Sequence, residues 1–206
     1  MSASAETIVI IDDHSGIRGS LRAFLETSGL NVRDYASAPA YLKSNDWGHC
    51  LLVDVRMPEM GGLELQQELT RRQIMVPTIV MTGHGDVPLA VRAMRSGAVD
   101  FLEKPFDDNV LLEAVQRALT ESRVSRDRAA ATRESKALLE NLTDREREVF
   151  RQLVTGKSNK LVAHALGISP RTVEVHRARL QEKLKAQGLS DLVRIANAAY
   201  LLSPDT

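Results

Sequence analysis

Four short strand-like runs, each ending in a polar or charged residue, constrain the fold of this chain more than any other feature. Thr7-Ile8-Val9-Ile10-Ile11 runs into Asp12-Asp13, Leu51-Leu52-Val53 into Asp54, Thr78-Ile79-Val80-Met81 into Thr82, and Val99-Asp100-Phe101-Leu102-Glu103 into Lys104. Between them the spacing predicts helices over 15–28, 38–44, 62–73, 87–96 and 107–121, so strand and helix alternate five times. Leu21, Phe24 and Leu25 form one apolar stripe; Leu63, Leu65 and Leu69 form another; Leu111, Leu112, Val115 and Leu119 form a third. This pattern predicts an α/β domain whose parallel sheet is covered on both faces. Open α/β sheets bind ligands beyond the carboxyl ends of their strands, and here four such ends converge on one pocket.

The chain has 206 residues, enough for two modest domains. Its zero formal charge hides an asymmetry: residues 1–121 carry 11 Lys/Arg against 17 Asp/Glu, and residues 122–206 carry 16 against 10. An acidic half joined to a basic half implies that only the second meets a polyanion. The single cysteine, Cys50, excludes an internal disulfide and fits a reducing cytosol. Opening a core strand, it has the plain role of a small buried residue rather than a reactive thiol. Met1 to Glu6 is too short and polar for a signal peptide, and no apolar run reaches membrane-spanning length. A cytoplasmic location without membrane contact is expected. Residues 122–140 lack Gly and Pro and carry Ala129-Ala130-Ala131, which predicts a helical linker continuing the preceding helix.

Asp12, Asp13 and Asp54 make a cluster of hard oxygens at the sheet rim, suited to Mg²⁺, which takes one or two carboxylates and keeps waters and phosphate oxygens. Helix capping by Asp13 explains one of these acids and not three. Lys104, before Pro105, can reach a phosphoryl oxygen, and Thr82 can donate its hydroxyl to the same group. A nucleophilic Asp, a metal, a hydroxyl and an ammonium meet the needs of phosphoryl transfer to a carboxylate.

Ile11-Asp12-Asp13, Asp54 with Met57-Pro58 and Gly61-Gly62, Met81-Thr82-Gly83-His84-Gly85-Asp86, and Asp100-Phe101-Leu102-Glu103-Lys104-Pro105-Phe106 together resemble a two-component receiver domain. The resemblance implies a flavodoxin-like fold, five-stranded with strand order 2-1-3-4-5, over residues 1–121. It implies that Asp54 is phosphorylated by a sensor histidine kinase, with Asp12, Asp13, Asp54 and the Arg56 carbonyl around Mg²⁺. Thr82 and Phe101 become the switch pair, and Phe101 excludes a switch that needs a phenolic hydroxyl. Arg56 and His84, two residues after Asp54 and Thr82, take positions that tune phosphoryl lifetime.

Residues 141–206 predict a small all-α domain with helices over 144–155, 159–166, 170–186 and 190–202. A short helix ends at Gly167 and another begins with Ser169 as cap and Pro170 as first residue, a helix-turn-helix signal. In the second helix Val173, Leu180 and Leu184 share one face, while Arg171, Val175, Ala178, Arg179 and Glu182 lie opposite. A solvated charged face gives no reason for an outward Val175; contact with a thymine methyl does. Arg171 and Arg179 can reach phosphates or guanine edges, Thr172 and Lys160 phosphates, and Glu174 a cytosine amine. Arg177 falls near the inner face and must extend outward.

Leu142-Thr143-Asp144-Arg145-Glu146-Arg147-Glu148-Val149, Gly156, Asn159-Lys160 and Ser169-Pro170-Arg171-Thr172-Val173-Glu174-Val175-His176 resemble a LuxR/NarL-type DNA-binding domain, and the His176-Arg177 pair resembles the FixJ-type subgroup. That resemblance implies a transcription regulator that dimerises on phosphorylation through its fourth helix, fifth strand and fifth helix, binds promoter DNA and has RNA polymerase as a further partner. FixJ-type regulators act in oxygen-linked control of nitrogen fixation, although the same architecture serves other stimuli. Two competing readings remain. A haloacid-dehalogenase-type phosphohydrolase uses a similar Asp, Thr, Lys and Mg²⁺ set, but needs a carboxylate two residues after the nucleophile, where this chain has Arg56. A receiver that dimerises without phosphorylation has no use for the complete set of Asp12, Asp13, Asp54, Thr82 and Lys104. A non-enzymatic phosphoacceptor with slow self-dephosphorylation is therefore expected.

Overall fold

The computed structural model describes residues 6–83 and 87–200 and divides the chain into two compact units, Met1–Val124 and Ser125–Thr206. In the first, strands β1 (Thr7–Ile11), β2 (Asn31–Tyr35), β3 (Cys50–Asp54), β4 (Thr78–Thr82) and β5 (Asp100–Glu103) form one sheet in the order β2-β1-β3-β4-β5. Every neighbouring pair is parallel. The intervening helices are α1 (Ser15–Thr27), α2 (Ala38–Ser44), α3 (Gly62–Arg71) and α4 (Val87–Arg95), followed by α5 (Asp108–Glu140).

Side chains alternate across a strand, and the aliphatic runs therefore split between two cores. Ile8, Ile10, Leu52, Ile79 and Met81 pack with Leu21 and Leu25 of α1 and with Leu111, Ala114, Val115 and Ala118 of α5. Val9, Ile11, Leu51, Val53 and Val80 pack with Tyr41 of α2, Leu65 and Leu69 of α3 and Ala93 of α4. Cys50 lies in the first core, where burial pushes its thiol up and keeps it protonated. β2 has no aliphatic run because it is an edge strand; Val32 alone is fully buried, between exposed Asn31 and Arg33.

The fifth helix does not stop near residue 121. It continues as one element to Glu140, so residues 122–140 form its second half. Among the described residues no helix is long and apolar enough to cross a membrane.

The second unit adds α6 (Asp144–Leu153), α7 (Asn159–Leu166), α8 (Pro170–Lys183) and α9 (Leu189–Tyr200). Side-chain oxygens cap three of them: Thr143 accepts from the Glu146 amide, Ser158 from Leu161 and Ser169 from Thr172. Gly167 at φ 64° ends α7 and turns the chain into α8. α8 is shorter than its apolar pattern predicts. Lys185 adopts φ 52° and the Ala186 amide folds back to the Gln181 carbonyl, which terminates the helix before 186. The expected end of the last helix, Leu201 and Leu202, lies outside the described residues. Val149, Phe150, Leu153, Val162, Val173, Leu180, Leu184, Leu192 and Ile195 make the core of this unit.

At the edge of that core sits a charged residue, Glu146, whose side chain is 4% exposed. Its carboxylate accepts from Lys183 Nζ at 2.7 Å and, closing the capping box, from the Thr143 amide at 2.9 Å. The Lys183 bond first, and the Thr143 amide second, hold its pKa down to about 2. A carboxylate depressed on folding contributes stability that is present above its unfolded pKa, about 4.3, and is lost as pH falls toward the folded value. Glu146→Gln should therefore destabilise α6–α9 by about 1–3 kcal/mol at pH 7, with the gap from wild type closing between about pH 5 and pH 2. Hydrogen exchange of the α6–α9 amides across that range measures it, and a gap independent of pH would refute the assignment.

Candidate functional site

Strand phase brings the acids together. β1 and β3 pair Ile10 with Leu52 and Ile11 with Val53, so the next residues in that register, Asp12 and Asp54, leave neighbouring strands side by side. Adjacent strands lie about 4.8 Å apart, and both acids are buried, Asp12 completely and Asp54 at 8% exposure. Two carboxylates so placed repel each other unless a cation intervenes. Lys104 is that cation: its Nζ donates to Asp12 Oδ2 and to Asp54 Oδ1, each at 2.6 Å. It reaches them because its amide donates to the Thr82 carbonyl at 2.7 Å, carrying the β4–β5 ladder one residue past Glu103. Burial draws the ammonium toward its neutral form, but the hydrogen bonds to Asp12 and Asp54 outweigh it and raise the Lys104 pKa.

Backbone amides hold the remaining oxygens. Asp12 Oδ1 accepts from the His14 amide at 2.9 Å, and Asp54 Oδ2 from the Arg56 amide at 2.7 Å. Asp13 is partly exposed, with Oδ1 3.1 Å from His14 Nδ1. Asp12, Asp13 and His14 present ligand atoms within 4.8 Å of one another. Sequence reasoning grouped Asp54 and the Arg56 carbonyl with Asp12 and Asp13 and passed over His14, although its place directly after the two acids was the available signal. Asp54, like Asp12, is held by Lys104, and its other oxygen by the Arg56 amide. The donor chemistry still fits a hard divalent cation, because three carboxylates meet here and that of Asp13 has solvent access.

His14, Ile17, Asp54, Arg56, Gly83 and Lys104 line a pocket of about 210 Å³. The Arg56 side chain is exposed at its mouth. Thr82, 1% exposed, ends β4 beside it, and Phe101 is half-buried against the α2–α4 core. The pairing of Val80 with Phe101 and of Thr82 with Glu103 places Thr82 and Phe101 on the same sheet face. His84 lies outside the described residues.

Two glycines let the start of α3 approach the backbone at the end of β3. A Cβ on Gly62 would fall 2.5 Å from the Asp54 carbonyl oxygen, and one on Gly61 2.6 Å from that of Val55. The start of α3 can lie on the β3 exit only without those atoms.

In the second unit, α7 and α8 meet through the turn at Gly167. Arg171, Thr172, Glu174, Val175, Ala178 and Arg179 of α8 are exposed, as is Lys160 of α7. Val175 remains 47% exposed although it is aliphatic. The Thr172 hydroxyl lies 2.8 Å from that of Ser169, inside the cap. Arg177 is half-buried, and its Nη1 donates to Asn159 Oδ1 at 3.4 Å, which ties α8 to the start of α7 rather than extending it outward.

Comparison with known proteins bears on both units. Residues 8–116 match the response regulator receiver domain, and residues 140–196 match the luxR family of bacterial regulatory proteins. The chain is 48% identical over 199 residues to the transcriptional regulatory protein FixJ of Azorhizobium caulinodans, covering 95% of this chain and 94% of that protein. It is 42% identical to nodulation protein W of Bradyrhizobium diazoefficiens, covering 94% and 87%. Among solved structures, the response regulator StyR matches at 36% identity with a TM-score of 0.82, covering 94% and 99%. Full-length FixJ from B. japonicum matches at 41% identity with a TM-score of 0.58, covering 98% and 100%.

The close approach at Gly62 is testable by adding one methyl group. Gly62→Ala should cost about 1–3 kcal/mol through overpacking. Gly19→Ala, at an exposed position of α1 with nothing within 4 Å of the new Cβ, should stabilise by up to about 1 kcal/mol. Urea unfolding followed by Trp47 fluorescence separates the two; equal midpoints would remove the steric account.

Proposed function

The chain belongs to the FixJ-type response regulators, which join a receiver to a LuxR-type DNA-binding domain, and from that premise we propose that Asp54 is the phosphoryl acceptor whose modification controls DNA binding. The observation that carries this is the shared Lys104 ammonium, 2.6 Å from both Asp12 and Asp54. It places a positive charge against the Asp54 carboxylate, and it can follow the charge onto a phosphoryl oxygen.

Asp54 Oδ1 attacks the phosphorus of a kinase phosphohistidine; the P–N bond breaks, an acyl phosphate forms, and the imidazole leaves with the electron pair and takes up a proton. Asp12, Asp13, Asp54 and the Arg56 carbonyl would hold Mg²⁺, which would supply positive charge against the phosphoryl oxygens. The Arg56 amide fixes Asp54 Oδ2, leaving Oδ1 as the attacking atom once Lys104 shifts to the incoming oxygens. Thr82 donates its hydroxyl to the new phosphoryl group and Phe101 turns inward, while Arg56 and His84 set how long the group survives. Arg56 offers no carboxylate to activate water, which supports a stoichiometric acceptor that loses phosphate slowly rather than a turnover enzyme.

Residues 1–121 act as receiver, 122–140 as linker and 141–206 as reader. The exposed Val87, Val91 and Met94, one stripe on α4, support pairing of two phosphorylated copies through that face. Two α8 helices then enter successive major grooves, with half-sites about 10 base pairs apart. Arg171, Glu174, Val175, Ala178 and Arg179 meet bases or phosphates, Lys160 and Thr172 meet phosphates, and Arg177 braces the reading helix. The bound dimer engages RNA polymerase at a promoter. The similarity to regulators named FixJ supports the oxygen-linked control of nitrogen fixation that the FixJ-type resemblance implies, and the similarity to a protein named nodulation protein W fits other stimuli on the same architecture.

Asp54→Asn should take up no phosphate from an acyl-phosphate donor with Mg²⁺, remain in the unphosphorylated oligomeric state and show no gain in DNA affinity. Intact mass, sedimentation velocity and fluorescence anisotropy on selected DNA read the three effects. A wild type that gains phosphate with neither dimerisation nor tighter DNA binding would overturn the coupling.

A further inference from the structure

Arg18 touches the backbone of the acidic turn with its guanidinium. It lies in the first turns of α1 with its side chain 15% exposed, and Nη1 donates to the Asp12 carbonyl at 2.7 Å. Nε donates to Asp34 Oδ2 at 3.1 Å, and the other oxygen of Asp34 is held by Arg22 Nη1 at 2.8 Å. Asp34 lies on β2, next to Tyr35, whose carbonyl accepts the Asp12 amide at 3.3 Å. Both backbone groups of Asp12 are thereby tied to neighbouring elements.

This matters most for the next residue. The Asp12 carbonyl belongs to the peptide that joins Asp12 to Asp13, and the plane of that peptide sets where the Asp13 backbone, and so its carboxylate, is aimed. Asp12 is already oriented through its side chain by the His14 amide and Lys104. Asp13 has no tie to Lys104, and its contact with His14 is exposed. The Asp12 carbonyl precedes α1, which begins at Ser15, so the bond is not part of the helix's own ladder. A guanidinium spans Asp34 and the carbonyl at once because its donors form a rigid fork; an ammonium cannot hold both with the same geometry.

We propose that Arg18, clamped by Asp34, is a positioning residue that holds the Asp12–Asp13 turn in its cation-binding shape. The proposal rests on the reading of Asp12, Asp13 and Asp54 as a Mg²⁺ site. It makes an unusual demand on sign. By charge alone, deleting a cation beside an anionic pocket tightens binding of a divalent ion. Loss of positioning weakens it, and outer-sphere partners of metal ligands are typically worth about 10–100-fold in affinity.

Isothermal titration of the full-length, unphosphorylated chain with Mg²⁺ distinguishes the two. Arg18→Ala and Arg18→Lys should each weaken binding about 10-fold or more, and Arg71→Ala, an exposed arginine of α3, should stay within about twofold, as expected for a screened surface charge. In phosphorylation by an acyl-phosphate donor, the half-saturating Mg²⁺ should rise by the same factor while the rate at saturating Mg²⁺ is retained. Unchanged or tighter binding in Arg18→Ala overturns the proposal, as does wild-type affinity in Arg18→Lys, which would leave charge as the only role. Should Arg18→Ala fail to fold by circular dichroism, Arg18→Lys carries the test alone. A wild type that binds no Mg²⁺ instead removes the site reading itself, and the proposal with it.

Discussion

Everything at the sheet rim depends on one ammonium shared by two buried carboxylates. Parallel pairing of β1 with β3 forces Asp12 and Asp54 into neighbouring positions, and burial makes their repulsion costly. Lys104 relieves it from the far edge of the arrangement, beyond β5, two strands away from β3. From that strand end its Nζ lies 2.6 Å from both acids.

That arrangement is poised to respond to charge. The ammonium bridges the two acids, whose other oxygens are held by backbone amides, and a phosphoryl group on Asp54 would compete for it with stronger acceptor oxygens. The pocket is bounded by features that limit how it can adjust. Gly61 and Gly62 let α3 lie against the β3 exit, Arg18 holds the turn after β1, and the Lys104 amide is locked to Thr82. Thr82 and Phe101 share one face of the sheet.

The second unit solves a different problem with local means. Its helices are short and depend on caps at Thr143, Ser158 and Ser169, with Glu146 and Lys183 tying α6 to α8. Burial of Val173, Leu180 and Leu184 leaves the opposite face of α8 basic and solvent-facing, with Val175 outward among its charges. Arg177, by contrast, is drawn inward to Asn159.

Much of this was legible in the amino-acid order, for a local reason. The aliphatic runs, the helical stripes, the Ser-Pro helix start and the glycine stop are properties of neighbouring residues, and they determined the α/β class, the helix-turn-helix and the candidate acids at the strand ends. The edge strand β2 was faint because an edge needs no apolar run, and the end of α8 was overrun because the left-handed turn at Lys185 carries no glycine. Tertiary structure alone decided that Asp54 turns to Lys104 while His14 joins Asp12 and Asp13, that Arg18 reaches from α1 to the Asp12 carbonyl, and that Gly62 touches the Asp54 backbone. Those contacts depend on strand order and register, which bring Asp12 and Lys104, 92 positions apart, within a single hydrogen bond, and no local pattern encodes a distance of that kind.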